Sequence, residues 1–108
     1  MKNVSVKLQD RSYEIIIGKG ILNNLGLFLL RIRKPCNCVI ITNPTVSALY
    51  ESIVKKSLIS NGFSVFNITI PDSETSKSIR IVEQIYKQLV DLKINRDSCI
   101  IALGGGVI

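Results

Sequence analysis

Three short apolar runs, separated by two helix-like stretches, set the strongest limit on the fold of this chain. The runs cover 36–41, 63–70 and 99–103, and they are typical of strands that are buried on both faces. Between them, 46–58 and 79–90 carry apolar residues at the helical period of 3.6. Strands that alternate with helices in this way predict a parallel sheet, because each helix has to return the chain to the start of the next strand.

The first twenty residues predict a separate β-hairpin. Apolar and polar residues alternate in two runs, whose apolar members are Val4, Val6 and Leu8, then Tyr13, Ile15 and Ile17. Residues 9–12 are polar and form the expected connection, and we expect each strand to be half-buried. The predicted fold class is therefore α/β: an N-terminal β-hairpin followed by a β-α-β-α-β Rossmann-like parallel sheet, incomplete at the C-terminus.

The two helices differ in how clearly their limits can be predicted. Asn43 is a good N-cap and Pro44 suits the first helical position, while Asn61 and Gly62 predict the end of the first long helix. The second helix is expected after Pro71. Its predicted apolar face consists of Ile79, Val82, Ile85, Tyr86, Leu89 and Val90.

Composition favours a packed domain that works in a reducing compartment. The 108 residues are 46% hydrophobic with a mean hydropathy of +0.32, which argues against disorder. Three cysteines, an odd number, do not form a secreted disulfide framework, and no apolar leader or membrane-length run is present. These observations predict a cytoplasmic protein that does not interact with membranes.

The net charge of +6 does not by itself predict a nucleic-acid partner. The basic residues are scattered, and their densest run, 31–35, lies between predicted elements. A solvated surface, or attraction to a phosphorylated small substrate, is favoured over nucleic-acid binding.

Three candidate binding segments each follow a predicted parallel strand, where ligands of such sheets bind. The first is Thr42-Asn43, in which Asn43 is also fully explained as an N-cap. The second is the segment Asp72, Ser73, Glu74, Thr75, Ser76, Lys77 and Ser78. Glu74 and Lys77 could hold a ribose and a phosphate, or could simply pair on the helix surface. The third is Gly104–Gly106, a glycine run that is equally typical of a phosphate loop and of a tight turn.

The cysteines give the weakest signal for a site. Cys36 and Cys38 lie at strand spacing, Cys99 lies on another strand, and the chain contains no histidine. We therefore expect small buried side chains in preference to a metal site.

Taken together, the segments resemble a known enzyme family. The runs Pro71-Asp72-Ser73-Glu74-Thr75-Ser76-Lys77-Ser78 and Leu103-Gly104-Gly105-Gly106-Val107-Ile108 are similar to motifs in the N-terminal domain of the 3-dehydroquinate synthase family. The resemblance covers the whole chain, about the first third of such an enzyme. The one departure is Ser73, where the family usually has glycine.

The resemblance implies an NAD- and metal-dependent lyase of the shikimate pathway of aromatic amino acid biosynthesis. Its substrate would be 3-deoxy-D-arabino-heptulosonate 7-phosphate, a phosphorylated sugar acid, and its metal zinc or cobalt. A homodimer is one assembly that fits. Carried over to this sequence, the cofactor-binding residues would be Asn43, Asp72, Ser73, Glu74, Thr75, Ser76, Lys77, Gly105, Gly106, Val107 and Ile108. Glu74 and Lys77 would hold the adenosine ribose, the glycine loop the pyrophosphate, and Asn43 the adenosine end.

On this interpretation residues 1–108 are the N-terminal NAD-binding domain, and the catalytic and metal-binding residues lie in a C-terminal domain outside the chain. We expect the 108 residues alone to be inactive. The alternatives are another sugar-phosphate cyclase, an iron-type polyol dehydrogenase, or a non-catalytic nucleotide-binding fragment. Val107 argues against the polyol dehydrogenases, which more often have serine after the glycine run.

Overall fold

The computed structural model describes residues 2–8, 13–71, 79–92, 97–105 and 108. In chain order the elements are β1 (Lys2–Val6), β2 (Tyr13–Ile17), a 3-10 turn (Ile21–Asn24), α1 (Leu25–Leu30), β3 (Asn37–Thr42), α2 (Pro44–Val46), a π-helical turn (Ser47–Glu51), α3 (Ser52–Ser60), β4 (Ser64–Thr69), α4 (Ile79–Asp91) and β5 (Cys99–Ala102). The predicted hairpin and the alternation of strands and helices are both confirmed.

A three-stranded parallel sheet forms the centre of the fold. The strand order is β4-β3-β5, so the apolar run at 37–42 pairs on both of its edges. Ile40 is the register partner of Asn67 on one side and of Ile101 on the other. The predicted parallel sheet is therefore confirmed, and its most apolar strand is central.

The chain passes from β3 into the following helices within two residues. Asn43 is extended, and its side-chain oxygen accepts a hydrogen bond from the Val46 amide at 2.9 Å. Pro44 follows as the first helical residue, where the missing N–H costs no hydrogen bond. At the other end, Gly62 has a φ of 91°, a conformation that favours glycine, and the chain turns there into β4. Both predicted helix limits are confirmed.

Helices α1 and α3 pack closely on one face of the sheet. A side chain at Gly26 would collide with the Ser57 carbonyl oxygen, so only glycine allows this approach. The Gly26 amide donates to the Ser57 hydroxyl at 2.9 Å, and the Asn61 amide nitrogen donates to the Ser57 carbonyl at 2.8 Å. Gly26 is thus required by the packing of α1 against α3.

Apolar side chains pack on both faces of the sheet, but unequally. On the α3 face, Cys38, Ile40, Val54 and Leu58 are fully buried. The opposite face is formed around Val39, Ile68 and Ile70, with side chains of α4 against them. The α3 face is therefore the main hydrophobic core among the described residues.

The predicted apolar face of α4 is only partly correct. Ile85 and Leu89 pack against the sheet as expected, together with Ile81, which the prediction omitted. The other four predicted members, Ile79, Val82, Tyr86 and Val90, are exposed, at 79%, 45%, 64% and 75%. The helix has a broad apolar arc, and periodicity alone does not indicate which part of that arc meets the sheet.

The predicted hairpin forms, but neither of its faces is consistently buried. Val4 pairs with Ile15, and Val6 pairs with Tyr13. Val4, Tyr13 and Ile15 are exposed, whereas Val6 of the predicted face and Ile16 of the opposite face are half-buried. Alternation therefore predicted the strands correctly but only part of their burial.

Within the described residues, no helix has the length and apolar character needed to cross a lipid bilayer.

Candidate functional site

The candidate site lies at the edge where the parallel strands end. The sheet ladder continues past the strands, because the Ile70 amide donates to the Thr42 carbonyl at 2.8 Å and the Leu103 amide donates to the Ile41 carbonyl at 3.0 Å. The segments that follow β3, β4 and β5 therefore leave the sheet at one common edge. In open α/β sheets this is the edge at which ligands bind.

Asn43 lies at this edge and is half-buried. Its Oδ1 accepts the Val46 amide proton, so the oxygen of the side chain serves the helix N-terminus. The donor end of the carboxamide, Nδ2, is the part that could reach a ligand. Asn43 can therefore act as an N-cap through its side-chain oxygen and contact a ligand through its side-chain nitrogen.

The glycine run begins directly after β5, next to the end of β3. A side chain at Gly104 would collide with the side chain of Ile108, whereas nothing lies within 4 Å of the position that a Cβ of Gly105 would occupy. Gly105 also accepts a hydrogen bond from the Ile108 amide at 3.2 Å, which closes a tight turn. The structure therefore brings Gly105 and Asn43 to the same edge and leaves the space beside Gly105 open.

The Ile108 side chain has a packing role. It lies against the cluster formed by Val39, Ile68 and Ile70. Together with the hydrogen bond from its amide, this contact anchors the turn that presents Gly105.

The remaining predicted cofactor-binding residues lie outside the described parts of the chain. They are Asp72, Ser73, Glu74, Thr75, Ser76, Lys77, Gly106 and Val107. Their roles stay predictions.

The structure brings the three cysteines together, which their sequence positions did not indicate. Cys38 and Cys99 are register partners on β3 and β5. Burial, followed by the neighbouring Cys99 and Cys36 thiols, raises the pKa of Cys38 to about 12. Burial also raises the pKa of Cys99, although Arg33 acts in the opposite direction. These thiols are neutral near pH 7 and are poor nucleophiles in that form.

No set of three or more His, Cys, Asp or Glu side chains that could hold a metal ion occurs in the ranges that the structure describes.

The basic run between α1 and β3 makes contacts within the protein. The Arg31 guanidinium lies over the Phe28 ring, 5.3 Å from its centroid. Arg33 donates from Nη2 to the Asp97 carbonyl at 2.8 Å and so connects this run to the turn before β5. Two of its basic side chains therefore have structural partners.

A cavity with a volume of about 980 Å³ lies away from the candidate site, between the hairpin and α1. Ile16, Phe28 and Ile32 are among its lining residues, and none of its lining residues belongs to the three candidate segments. This cavity is thus separate from the residues to which the sequence assigns chemistry.

Fold and site together define an α/β domain with a Rossmann-like parallel sheet and with Gly104 and Gly105 at the carboxyl edge of that sheet. The family described as 3-dehydroquinate synthase N-terminal matches residues 67–108. The chain is thus similar to the N-terminal part of the 3-dehydroquinate synthase family.

Curated relatives match the chain from end to end. It is 40% identical over 108 residues to the 3-dehydroquinate synthase of Clostridium botulinum, and 44% identical over 108 residues to that of Thermodesulfovibrio yellowstonii. These matches cover 100% of this chain but only 31% and 30% of the two relatives. The chain thus spans about three tenths of the length of the relatives that it matches.

Solved structures support the fold at lower sequence identity. The crystal structure of a 2-deoxy-scyllo-inosose synthase complexed with carbaglucose-6-phosphate, NAD+ and Co2+ matches 98% of this chain with a TM-score of 0.83 and 18% identity. A second 2-deoxy-scyllo-inosose synthase structure gives a TM-score of 0.76 at 20% identity. At these identities the likeness establishes the shared fold.

Proposed function

We propose that this chain is the NAD-binding domain of a 3-dehydroquinate synthase. Such an enzyme converts 3-deoxy-D-arabino-heptulosonate 7-phosphate into 3-dehydroquinate and phosphate. The observation that carries the proposal is the 40% identity to a curated 3-dehydroquinate synthase over all 108 residues. The fold supports it, since the neighbouring structure described as a complex with NAD+ has the same arrangement over 98% of this chain.

The residues at the sheet edge are compatible with a dinucleotide. Gly105 has open space where a side chain would stand, which a pyrophosphate needs for a close approach to backbone amides. Asn43 can donate from Nδ2 to the adenosine end while its Oδ1 caps the helix. In this proposal Glu74 accepts from the ribose hydroxyls, and Lys77 donates to ribose or phosphate oxygens.

Bound NAD would supply a hydride acceptor for a ring carbon that carries a hydroxyl group. The part of this chain is to bind and orient the dinucleotide at the carboxyl edge of the sheet. The divalent metal, zinc or cobalt, and the phosphorylated substrate would be held by residues outside these 108, in a C-terminal domain. A homodimer and a cytoplasmic location belong to the same proposal.

A chimera tests the proposal directly. Residues 1–108 replace the matching region of the Clostridium botulinum relative, and release of phosphate is measured with NAD, Co2+ and 3-deoxy-D-arabino-heptulosonate 7-phosphate. We expect turnover, because the two segments are 40% identical over their whole length. A chimera that melts cooperatively but releases no phosphate would contradict the assignment.

Within the chimera, Lys77→Ala tests the predicted cofactor contact. Loss of a hydrogen bond from a charged group predicts a decrease of roughly 10- to 100-fold in kcat/KM, with a higher KM for NAD. Lys87→Ala is the matched control, since Lys87 is exposed on α4. If the two substitutions had equal effects, Lys77 would not be a cofactor contact.

The 108 residues alone distinguish the enzyme from the non-catalytic alternative. We expect no phosphate release and no measurable heat on titration with NAD, because the rest of the dinucleotide site would come from the longer protein. Tight NAD binding by the 108 residues alone would instead favour an autonomous nucleotide-binding module.

A further inference from the structure

Three buried side-chain oxygen atoms have no hydrogen-bond partner within the described residues. They are Thr42 Oγ1, Asn67 Oδ1 and Glu51 Oε1. Thr42 is fully buried and is the last residue of the central strand. Buried polar atoms in proteins are nearly always paired with protein or with ordered water, so each of the three indicates a partner that the described residues do not supply.

Two of these residues share one face of the sheet. Side chains alternate along a strand, so Thr42 lies on the same face as Cys38 and Ile40, the face covered by α3. Asn67 is the register partner of Ile40 and therefore shares that face. Thr42 and Asn67 are thus diagonal neighbours on adjacent strands, a separation that one bridging molecule can span.

The third residue approaches the same layer from the helix side. Glu51 is the last residue of the π-helical turn and precedes the fully buried Val54 and Leu58 by three and seven residues. This spacing places it on the stripe of the helix that faces the sheet. Isolated π-helical turns often occur where a side chain is redirected for a specific contact. Here the turn begins four residues after Asn43.

The chemistry of the three atoms selects the occupant. An amide oxygen and a carboxylate oxygen only accept hydrogen bonds, whereas a threonine hydroxyl can also donate one. We propose that a single ordered water molecule is bound between β3, β4 and the π-helical turn. It donates to Asn67 Oδ1 and Glu51 Oε1 and accepts from the Thr42 hydroxyl.

A water fits this set better than a metal ion. Buried waters typically make about three hydrogen bonds to groups that otherwise lack partners. Calcium takes six to eight oxygen ligands and magnesium an octahedral set, and three protein oxygens fall short of both. The bound water connects the end of the central strand to the helix layer that follows Asn43. The inference does not depend on the proposed function.

A high-resolution crystal structure of the protein tests the site. We expect a density peak at hydrogen-bonding distance, about 2.7–3.2 Å, from all three oxygens. Absence of the peak, or hydrogen bonds to these oxygens from residues 72–78 or 106–107, would overturn the proposal. A soak in rubidium salt that gave an anomalous peak at the position would also overturn it, since the occupant would then be a monovalent cation.

Solution measurements provide a second test. Oxygen-17 relaxation dispersion counts long-lived internal waters, and Thr42→Val should lower that count by one. Thr69→Val is the matched control, because Thr69 is the register partner of Thr42 on β4 but is exposed. An unchanged count in a folded Thr42→Val variant would rule the site out. If that variant does not fold, the density at the three oxygens of the parent protein decides.

Discussion

The two faces of the parallel sheet differ in how completely they are covered. On the α3 face, the side chains of Val54 and Leu58 are wholly removed from solvent. On the α4 face, Ile100 of β5 remains 55% exposed and Tyr86 of α4 remains 64% exposed. The chain thus contains one complete layer and one partly open layer on the same sheet. Apolar residues recur at the helical period in both α3 and α4, so this period is sufficient to form each helix. Complete burial of the apolar side chains also requires neighbouring elements that cover them.

The largest effect is expected when a buried side chain in the covered layer, between α3 and the sheet, is shortened. Leu58→Ala should lower the free energy of unfolding by about 3–4 kcal/mol, since it removes a fully buried side chain and leaves a cavity. Val90→Ala, at a position that is 75% exposed, should change it by less than about 0.5 kcal/mol. Urea denaturation measures both. If both variants lowered the free energy of unfolding by a similar amount, the two faces of the sheet would be equally well packed.

The close approach of α1 and α3 gives the next largest effect. Gly26→Ala should cost about 2 kcal/mol, because the new methyl group would collide with the Ser57 carbonyl and the helices would have to separate. Gly105→Ala is the control, since open space surrounds that position. Thermal unfolding of both variants measures the difference. If Gly26→Ala left the melting temperature unchanged, α1 and α3 would be able to separate more easily than their contacts indicate.

A smaller effect is expected where β3 enters the helix layer. Asn43→Ala removes the side-chain acceptor of the Val46 amide and should cost about 1 kcal/mol. Asn43→Asp keeps an acceptor there and should retain most of the stability. Chemical denaturation distinguishes the two variants. Equal destabilisation by both would indicate that the amide nitrogen of Asn43, and not its oxygen, stabilises the fold.

The last effect appears only at alkaline pH and originates in the covered layer. Burial raises the pKa of Cys38 from its ordinary value of 9.0 to about 12, so the folded state holds the proton more tightly than the unfolded chain does. This contribution is fully present below about pH 8.5 and is lost as the pH rises toward 12. Cys38→Ala should therefore show a shallower decline of stability above pH 9 than the parent protein. Parallel declines would mean that the thiol titrates alike in both states.

The sequence predicted the order of elements because the relevant signals are local. Asn43 and Pro44 determine one helix start through a side-chain acceptor and a missing amide proton, and Gly62 determines an end through its positive φ. These effects depend on neighbours within a few residues. The parallel pairing of β3 followed from connectivity, because the intervening helices leave no other arrangement.

Features that depend on distant residues could not be predicted in the same way. The buried side of α4 includes Ile81 and excludes Ile79, a choice made by the sheet beneath it. The contact of Cys38 with Cys99 depends on which strand lies beside β3. For the site, topology brings Asn43 and Gly105 to one edge, whereas the roles of Glu74 and Lys77 still depend on the resemblance.

The central position of β3 determines how long one of its edges stays unpaired while the protein is being synthesised. One neighbour of this strand, β4, ends at Thr69, whereas the other, β5, ends only at Ala102. A nascent chain therefore carries its most apolar strand with one side unpaired until almost all of the 108 residues have left the ribosome. Unpaired strand edges promote association between chains. During the interval between the synthesis of β4 and β5, one edge of β3 is thus still open to association with other chains.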